Sequence, residues 1–133
     1  MQQKIIVCGG RNYDDRDQLF RILDAAHLMN PIILLIHGDA RGADTLAKEW
    51  ALKNDVFCQA YPADWDGLGR RAGPIRNQQM LSEGKPHLVV AFPGGKGTAD
   101  MIKRAEIAGV PVARVKRRTT AMDAIEAHTR MCF

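Results

Sequence analysis

The sequence predicts an α/β domain: one parallel sheet of about five strands flanked by helices, in three layers. Three observations carry this. Short apolar runs, among them Lys4 to Cys8, Ile32 to Ile36 and Leu88 to Phe92, lack the alternation of a half-exposed strand and suit strands buried on both faces. Between them lie segments whose apolar residues recur at helical spacing, so that strand and helix alternate. Finally, Gly9-Gly10-Arg11, His37 to Asp44 and Pro93 to Thr98 are polar glycine turns, each placed directly after an apolar run.

In chain order, Lys4 to Cys8 is the first strand, and Asp14 and Asp17 open a helix with Leu19, Ile22, Leu23 and Ala26 inside. Pro31 restarts the chain into the second strand. The next helix carries Ala43, Leu46, Ala47 and Trp50 on one face, and Val56 to Tyr61 is the third strand. Residues 62–73, with three glycines, read as the longest irregular stretch. Pro74 suits the first turn of the following helix. After the fourth strand, Thr98 reads as an N-cap, with Met101, Ile102, Ala105 and Ala108 behind it and Gly109 closing the helix. Val110 to Val115 is the fifth strand, and Thr119 or Thr120 caps a last helix.

With 133 residues, 46% apolar and 26% charged, residues 1–133 read as one globular domain without linker, repeat or low-complexity segment. The three cysteines show no C-x-x-C spacing, which argues against a disulfide framework or a zinc site; no metal or cofactor is expected. Cys8 and Cys58 fall in strand runs and are expected in the core. The apolar run behind Met1 is too short for a signal peptide or membrane span, so the expectation is a cytoplasmic protein with no membrane partner. A formal charge of +4 favours anionic partners without choosing between nucleotide and nucleic acid.

The run from His87 to Asp100 is the most informative. Strand, glycine loop and helix start would bring backbone N–H groups and the positive end of a helix dipole to one point, an anion site suited to phosphate. Gly94, Gly95 and Gly97 cluster there, Lys96 adds a cation and Thr98 a hydroxyl. A plain ligand-free connection is the alternative. The run is neither a Walker A loop nor a G-x-G-x-x-G fingerprint. Ligands bind parallel sheets beyond the carboxyl ends of strands, so Arg11, Asp39, Arg41, Asp44, Lys96, Thr98 and Asp100 should share one rim.

Five motifs then occur in order: Gly9-Gly10-Arg11-x-Tyr13-x-Asp15, His37-Gly38-Asp39-Ala40-x-Gly42-Ala43-Asp44, Asp64-Trp65, Ala72-Gly73-Pro74-x-Arg76-Asn77-x-x-Met80 and Pro93-Gly94-Gly95-x-Gly97-Thr98. Together they resemble the SLOG superfamily, named for the Smf/DprA and Lonely Guy proteins, and most closely its small YspA-like branch related to YpsA. The resemblance runs to about Pro111. It implies a Rossmann-like fold that binds a nucleotide or nucleotide-derived ligand, and a homodimer. Lonely Guy enzymes are phosphoribohydrolases whose signature is Arg-x-x-x-Met followed by Pro-Gly-Gly-x-Gly-Thr-x-x-Glu. Arg76 and Met80 match its first part and Pro93 to Thr98 its second, but Met101 stands where the closing glutamate belongs, with Asp100 one residue earlier.

The resemblance marks Gly9, Gly10, Arg11, Gly38, Asp39, Asp44, Arg76, Asn77, Gly94, Gly95, Lys96, Gly97 and Thr98 as ligand-binding candidates. Breaking an N-glycosidic bond develops oxocarbenium character on the sugar, so a phosphate cradle, a carboxylate and help for the leaving base are needed. Asp100 is the candidate catalytic carboxylate, with Asp39 and Asp44 as substitutes. Arg76, the second catalytic candidate, either clamps phosphate or orients the carboxylate, or else makes a structural ion pair. Tyr13 and Trp65 either stack on a base or pack. Three functions compete: a hydrolase acting on a nucleoside monophosphate, a module that binds such a ligand unchanged, and a single-stranded nucleic-acid binder. The last is what the resemblance implies through its DprA branch, which binds single-stranded DNA; the basic run Arg114, Lys116, Arg117 and Arg118 reads better as a solvated cationic surface, since no aromatic residue interleaves it.

Overall fold

A computed structural model describes residues 1–117. Five parallel strands form one sheet: β1 (Gln3–Cys8), β2 (Ile32–His37), β3 (Phe57–Ala60), β4 (Leu88–Ala91) and β5 (Val112–Arg114), in the spatial order β3-β2-β1-β4-β5. The helices are α1 (Arg16–Met29), α2 (Ala43–Lys53), the short α3 (Trp65–Leu68), α4 (Ala72–Gly84) and α5 (Lys96–Ile107). This is the Rossmann-like order, in which the winding direction reverses between β1 and β4.

The central strands are apolar over Ile5 to Cys8, Ile32 to Ile36 and Leu88 to Ala91 because both of their faces are covered. On one face α1 and α2 close over Ile5, Val7, Leu35 and Val90, with Leu19, Leu23, Ala47 and the fully buried Trp50. The other face packs Ile6, Ile36, Val89 and Ala91 against Met80, Leu81, Met101 and Ala105 of α4 and α5. Trp50 reconciles its indole N–H with burial by donating to Asp24 Oδ1 at 2.8 Å.

Several local expectations are corrected. The N-cap of α1 is Asp15, whose Oδ1 accepts from the Gln18 N–H at 3.2 Å; Asp17 lies in the first turn, where its charge suits the dipole. Asp15→Ala is expected to cost about 1 kcal/mol, read as a lower midpoint in urea unfolding. Residues 62–73 are more regular than their glycines suggest: Asp64 caps α3 through the Gly67 N–H, and Gly69–Arg71 make a 3₁₀ turn that runs into α4. Cys8 is buried, but Cys58 is exposed, because β3 is the edge strand and is exposed along its whole length. The expected last helix at Thr119 or Thr120 lies outside the described residues. Among the described residues, no helix is long and apolar enough to cross a membrane.

Candidate functional site

The glycine turns after β1, β2 and β4 meet at the carboxyl edge of the sheet, over the β1–β4 reversal. They enclose a cavity of about 640 Å³ that α3 and α4 complete. Gly9, Gly10 and Arg11 line it from the first turn, Gly38 and Asp44 from the second, and Gly95, Lys96, Gly97, Thr98 and Asp100 from the third. Arg76 and Asn77 enter from α4, Trp65 from α3 and Arg70 from the 3₁₀ turn. The shared rim is therefore real for most of the predicted residues. Asp39 and Arg41 are the exceptions, since both face an adjoining hollow. Gly94 supports the wall from behind: a Cβ there would lie 2.2 Å from Thr98 Oγ1 and 2.7 Å from the Gly10 nitrogen. The Gly10 N–H also donates to the Pro93 carbonyl at 2.9 Å, which ties the first turn to the third.

The helix behind the glycines starts earlier than predicted. Its N-cap is Gly95, so Thr98 is the third helical residue and is buried, and no side chain among the described residues caps the end. The first N–H groups of a helix have no acceptor within it. Here those of Lys96, Gly97 and Thr98 belong to residues that line the cavity. An anion placed there would meet several donors and the positive end of the α5 dipole.

Arg76 is set by the end of β2 rather than by an ion pair. Its Nη1 donates to the Gly38 carbonyl at 2.6 Å and, more loosely, to that of Tyr61 at 3.4 Å, and its Nε donates to Asn77 Oδ1 at 3.1 Å. Burial pulls its pKa below the usual value, while the Asp44 carboxylate acts in the opposite sense. Asn77 in turn binds α4 to α5: its Nδ2 donates to the Gly97 carbonyl at 3.1 Å and to Asp100 Oδ2 at 3.0 Å. Arg104 Nε reaches the same Asp100 oxygen at 2.8 Å, one turn along α5. Asp100 thus borders the cavity with one oxygen already engaged by two donors.

Asp44 is the more deeply placed carboxylate. It is 5% exposed, and its Oδ2 accepts from the Gly38 and Ala40 N–H groups at 3.1 and 3.2 Å. Burial raises its pKa to about 6, against the lowering effect of those hydrogen bonds and of Arg76. A raised native pKa means that the folded state holds its proton more firmly than the unfolded chain. Asp44 therefore contributes stability that is present below the ordinary carboxylate range and is lost as pH rises through about 6. Asp44→Asn is expected to remove that slope, seen by comparing unfolding midpoints of the two proteins between acid and neutral pH. Burial also pushes the Cys8 thiol in the cavity wall up to about 12, so it stays protonated and inert.

The two aromatic candidates separate. Tyr13 is buried against Phe92, with ring centroids 5.2 Å apart, and is a packing residue. Trp65 is 46% exposed at the mouth, with the Arg11 guanidinium 5.3 Å from its ring. Sequence reasoning missed Arg70, although an Arg-Arg pair just ahead of the Gly73-Pro74 motif was a signal for it. Among the described residues, no group of three or more His, Cys, Asp or Glu could hold a metal ion.

The sequence model of the YspA, cpYpsA-related SLOG family matches residues 3–67. The chain is also 33% identical over 118 residues to the Gene 61 protein of Mycobacterium phage D29, covering 83% of this chain and 94% of that one. The chain belongs to this SLOG family. The X-ray structure of DNA processing protein A (DprA) from Streptococcus pneumoniae superposes with a TM-score of 0.68 at 18% identity. That match covers 97% of this chain but 56% of DprA, so the likeness is one of fold, to part of a longer protein. The matched family segment contains the first two glycine turns and Trp65. Arg76 and the Gly94–Thr98 turn lie beyond it, and their place in the site rests on the geometry above.

Proposed function

We propose that this SLOG protein binds a nucleotide or nucleotide-derived ligand at the β1–β4 reversal, with a phosphate on the first turn of α5. The observation that carries the reading is the uncapped start of α5 opening into a cavity that also holds Arg11, Arg70, Arg76 and Lys96. Two carboxylates, Asp44 and Asp100, stand against those four cations, so the site favours an anion. Trp65 offers a ring face for a base or sugar once Arg11 turns towards phosphate. Titration calorimetry with nucleoside monophosphates and their parent nucleosides tests this. Binding of the phosphorylated forms alone is expected, and no binding of either would overturn the reading.

Hydrolysis of the N-glycosidic bond is the second reading. Asp100, on the first turns of α5, supports it by standing close to where the phosphate would lie. Asp100→Asn should then keep ligand affinity and lower base release by orders of magnitude, followed by chromatography of the free base. Wild-type protein that releases no base at high concentration is a binding module instead. Single-stranded nucleic acid is a third reading, and it is the weaker one because Arg114 of the basic run is paired with Glu106 and no aromatic residue interleaves that run. A homodimer belongs to the proposal as well, and light scattering behind a sizing column tests it.

A further inference from the structure

The sheet ends in two unlike edges. At β5 the exposed Arg114, Lys116 and Arg117 put charge along the edge, a pattern that discourages pairing with another chain. At β3 there is no such guard. From Val56 to Tyr61 no residue is charged, and Phe57, Cys58, Gln59 and Ala60 are all exposed, Phe57 at 81%. The Tyr61 N–H donates to the His37 carbonyl of β2 at 2.8 Å. Main-chain groups alternate in direction along a strand, so those of Phe57 and Gln59 also turn to β2. The N–H and C=O of Cys58 and of Ala60 therefore point outward, and none of these four groups has a partner among the described residues. This free stretch is closed at both ends: the Val56 N–H is already given to the Ala51 carbonyl at 2.9 Å, and Pro62 has no N–H.

We infer that β3 is a dimer edge, at which two copies of this chain pair β3 with β3, antiparallel about a twofold axis beside Gln59. The inference rests on the homodimer proposed above and says where it forms. A twofold pairing is self-complementary by necessity, so the same stretch must satisfy itself. With the axis at Gln59, Cys58 exchanges both of its bonds with the partner's Ala60, and Ala60 with the partner's Cys58, so every outward group is used. Moving the axis to Cys58 sets Ala60 against the partner's Val56, whose N–H is taken. Moving it to Ala60 sets Cys58 against the partner's Pro62, which has no N–H to give. The register at Gln59 also brings the exposed Phe57 opposite the partner's Tyr61 on one face, an aromatic cross-strand pair. No charge has to be desolvated between the two strands, although each chain carries a formal +4. The two halves of the joined sheet run in opposite directions, so neither strand covers the other copy's cavity.

Light scattering behind a sizing column should give the wild type at twice the monomer mass. Gln59→Lys sets two like charges directly opposite each other, and the dimer dissociation constant should rise about tenfold or more. Gln59 is exposed, so a circular dichroism melt should show the fold intact. Disulfide trapping reads the register. Gln59→Cys, in a chain that also carries Cys58→Ser and Cys132→Ser, places two thiols across a non-hydrogen-bonded pair. The Cα atoms of such a pair lie about 4.5 Å apart, within disulfide reach, so mild oxidation should link the chains. With Gln59 intact and Cys132→Ser alone, Cys58 should stay unlinked, because it and the partner's Cys58 lie roughly 8–9 Å apart in this register. Cys8 is buried and takes no part. A wild type at the monomer mass overturns the homodimer and this inference together. A dimer that persists unweakened in Gln59→Lys, that links through Cys58, or that fails to link through Gln59→Cys overturns the β3 edge alone. The nucleotide reading stands apart from all of these outcomes, since its own titration decides it.

Discussion

Gly95→Val is expected to yield a folded protein that no longer binds nucleotides. A Cβ on Gly95 meets nothing within 4 Å, and the residue's φ of −104° is one that side chains adopt, so the substitution leaves the fold alone. Gly95 lines the cavity together with Lys96, Gly97 and Thr98, so an isopropyl group added there takes up space that a phosphate needs. Hydrogen bonds to a charged group contribute roughly 1.5–3 kcal/mol each, so the loss of two lowers affinity by about a hundredfold or more. Gly94→Ala should behave in the opposite way. Its Cβ overlaps Thr98 Oγ1 and the Gly10 backbone, so stability falls first. Circular dichroism melts beside calorimetric titration separate the two effects. A folded Gly95→Val protein that binds normally would place the ligand elsewhere.

Much of the framework was legible because the strongest signals are local. The buried strands β1, β2 and β4 announce themselves as unbroken apolar runs, and the glycine turns behind them mark the edge that carries the site. What depends on distant neighbours was not legible. Cys58 sits in a strand-like run, yet whether a strand is central or at the edge is decided by strand order, which local pattern does not encode. Thr98 has the chemistry of an N-cap, but the helix begins two residues earlier, so Thr98 lies inside it, packed against Gly94, and Gly95 takes the capping place. That difference matters for function, since a threonine cap would have used donors that are now left open to a ligand. Asp44 reads from sequence as one acidic residue among several. Its rank appears only when its depth, its two backbone donors and the nearby Arg76 are taken together.

Arg76 is the case where sequence and structure meet across the greatest distance, and removing it should have the second large effect. The motif marks Arg76 as important, but nothing local shows that its guanidinium reaches the Gly38 carbonyl 38 residues away. The contact exists because Gly38 has no side chain. A Cβ there would lie 2.2 Å from Nη1, inside the space the guanidinium occupies. Gly38→Ala must therefore expel Arg76 while leaving it in the sequence, and it should reproduce the binding defect of Arg76→Ala. Loss of a half-buried, hydrogen-bonded cation from an anion site costs about 2–5 kcal/mol, or roughly thirty- to several-thousand-fold in affinity. Arg76→Lys should recover little, because an ammonium cannot span the Gly38 carbonyl and Asn77 Oδ1 with a planar fork and still face a phosphate. Titrating all three variants with the ligand found for the wild type checks this. If Arg76→Ala were fully impaired and Gly38→Ala bound normally, the guanidinium would act from a different position, and its hold on the end of β2 would have no part in binding.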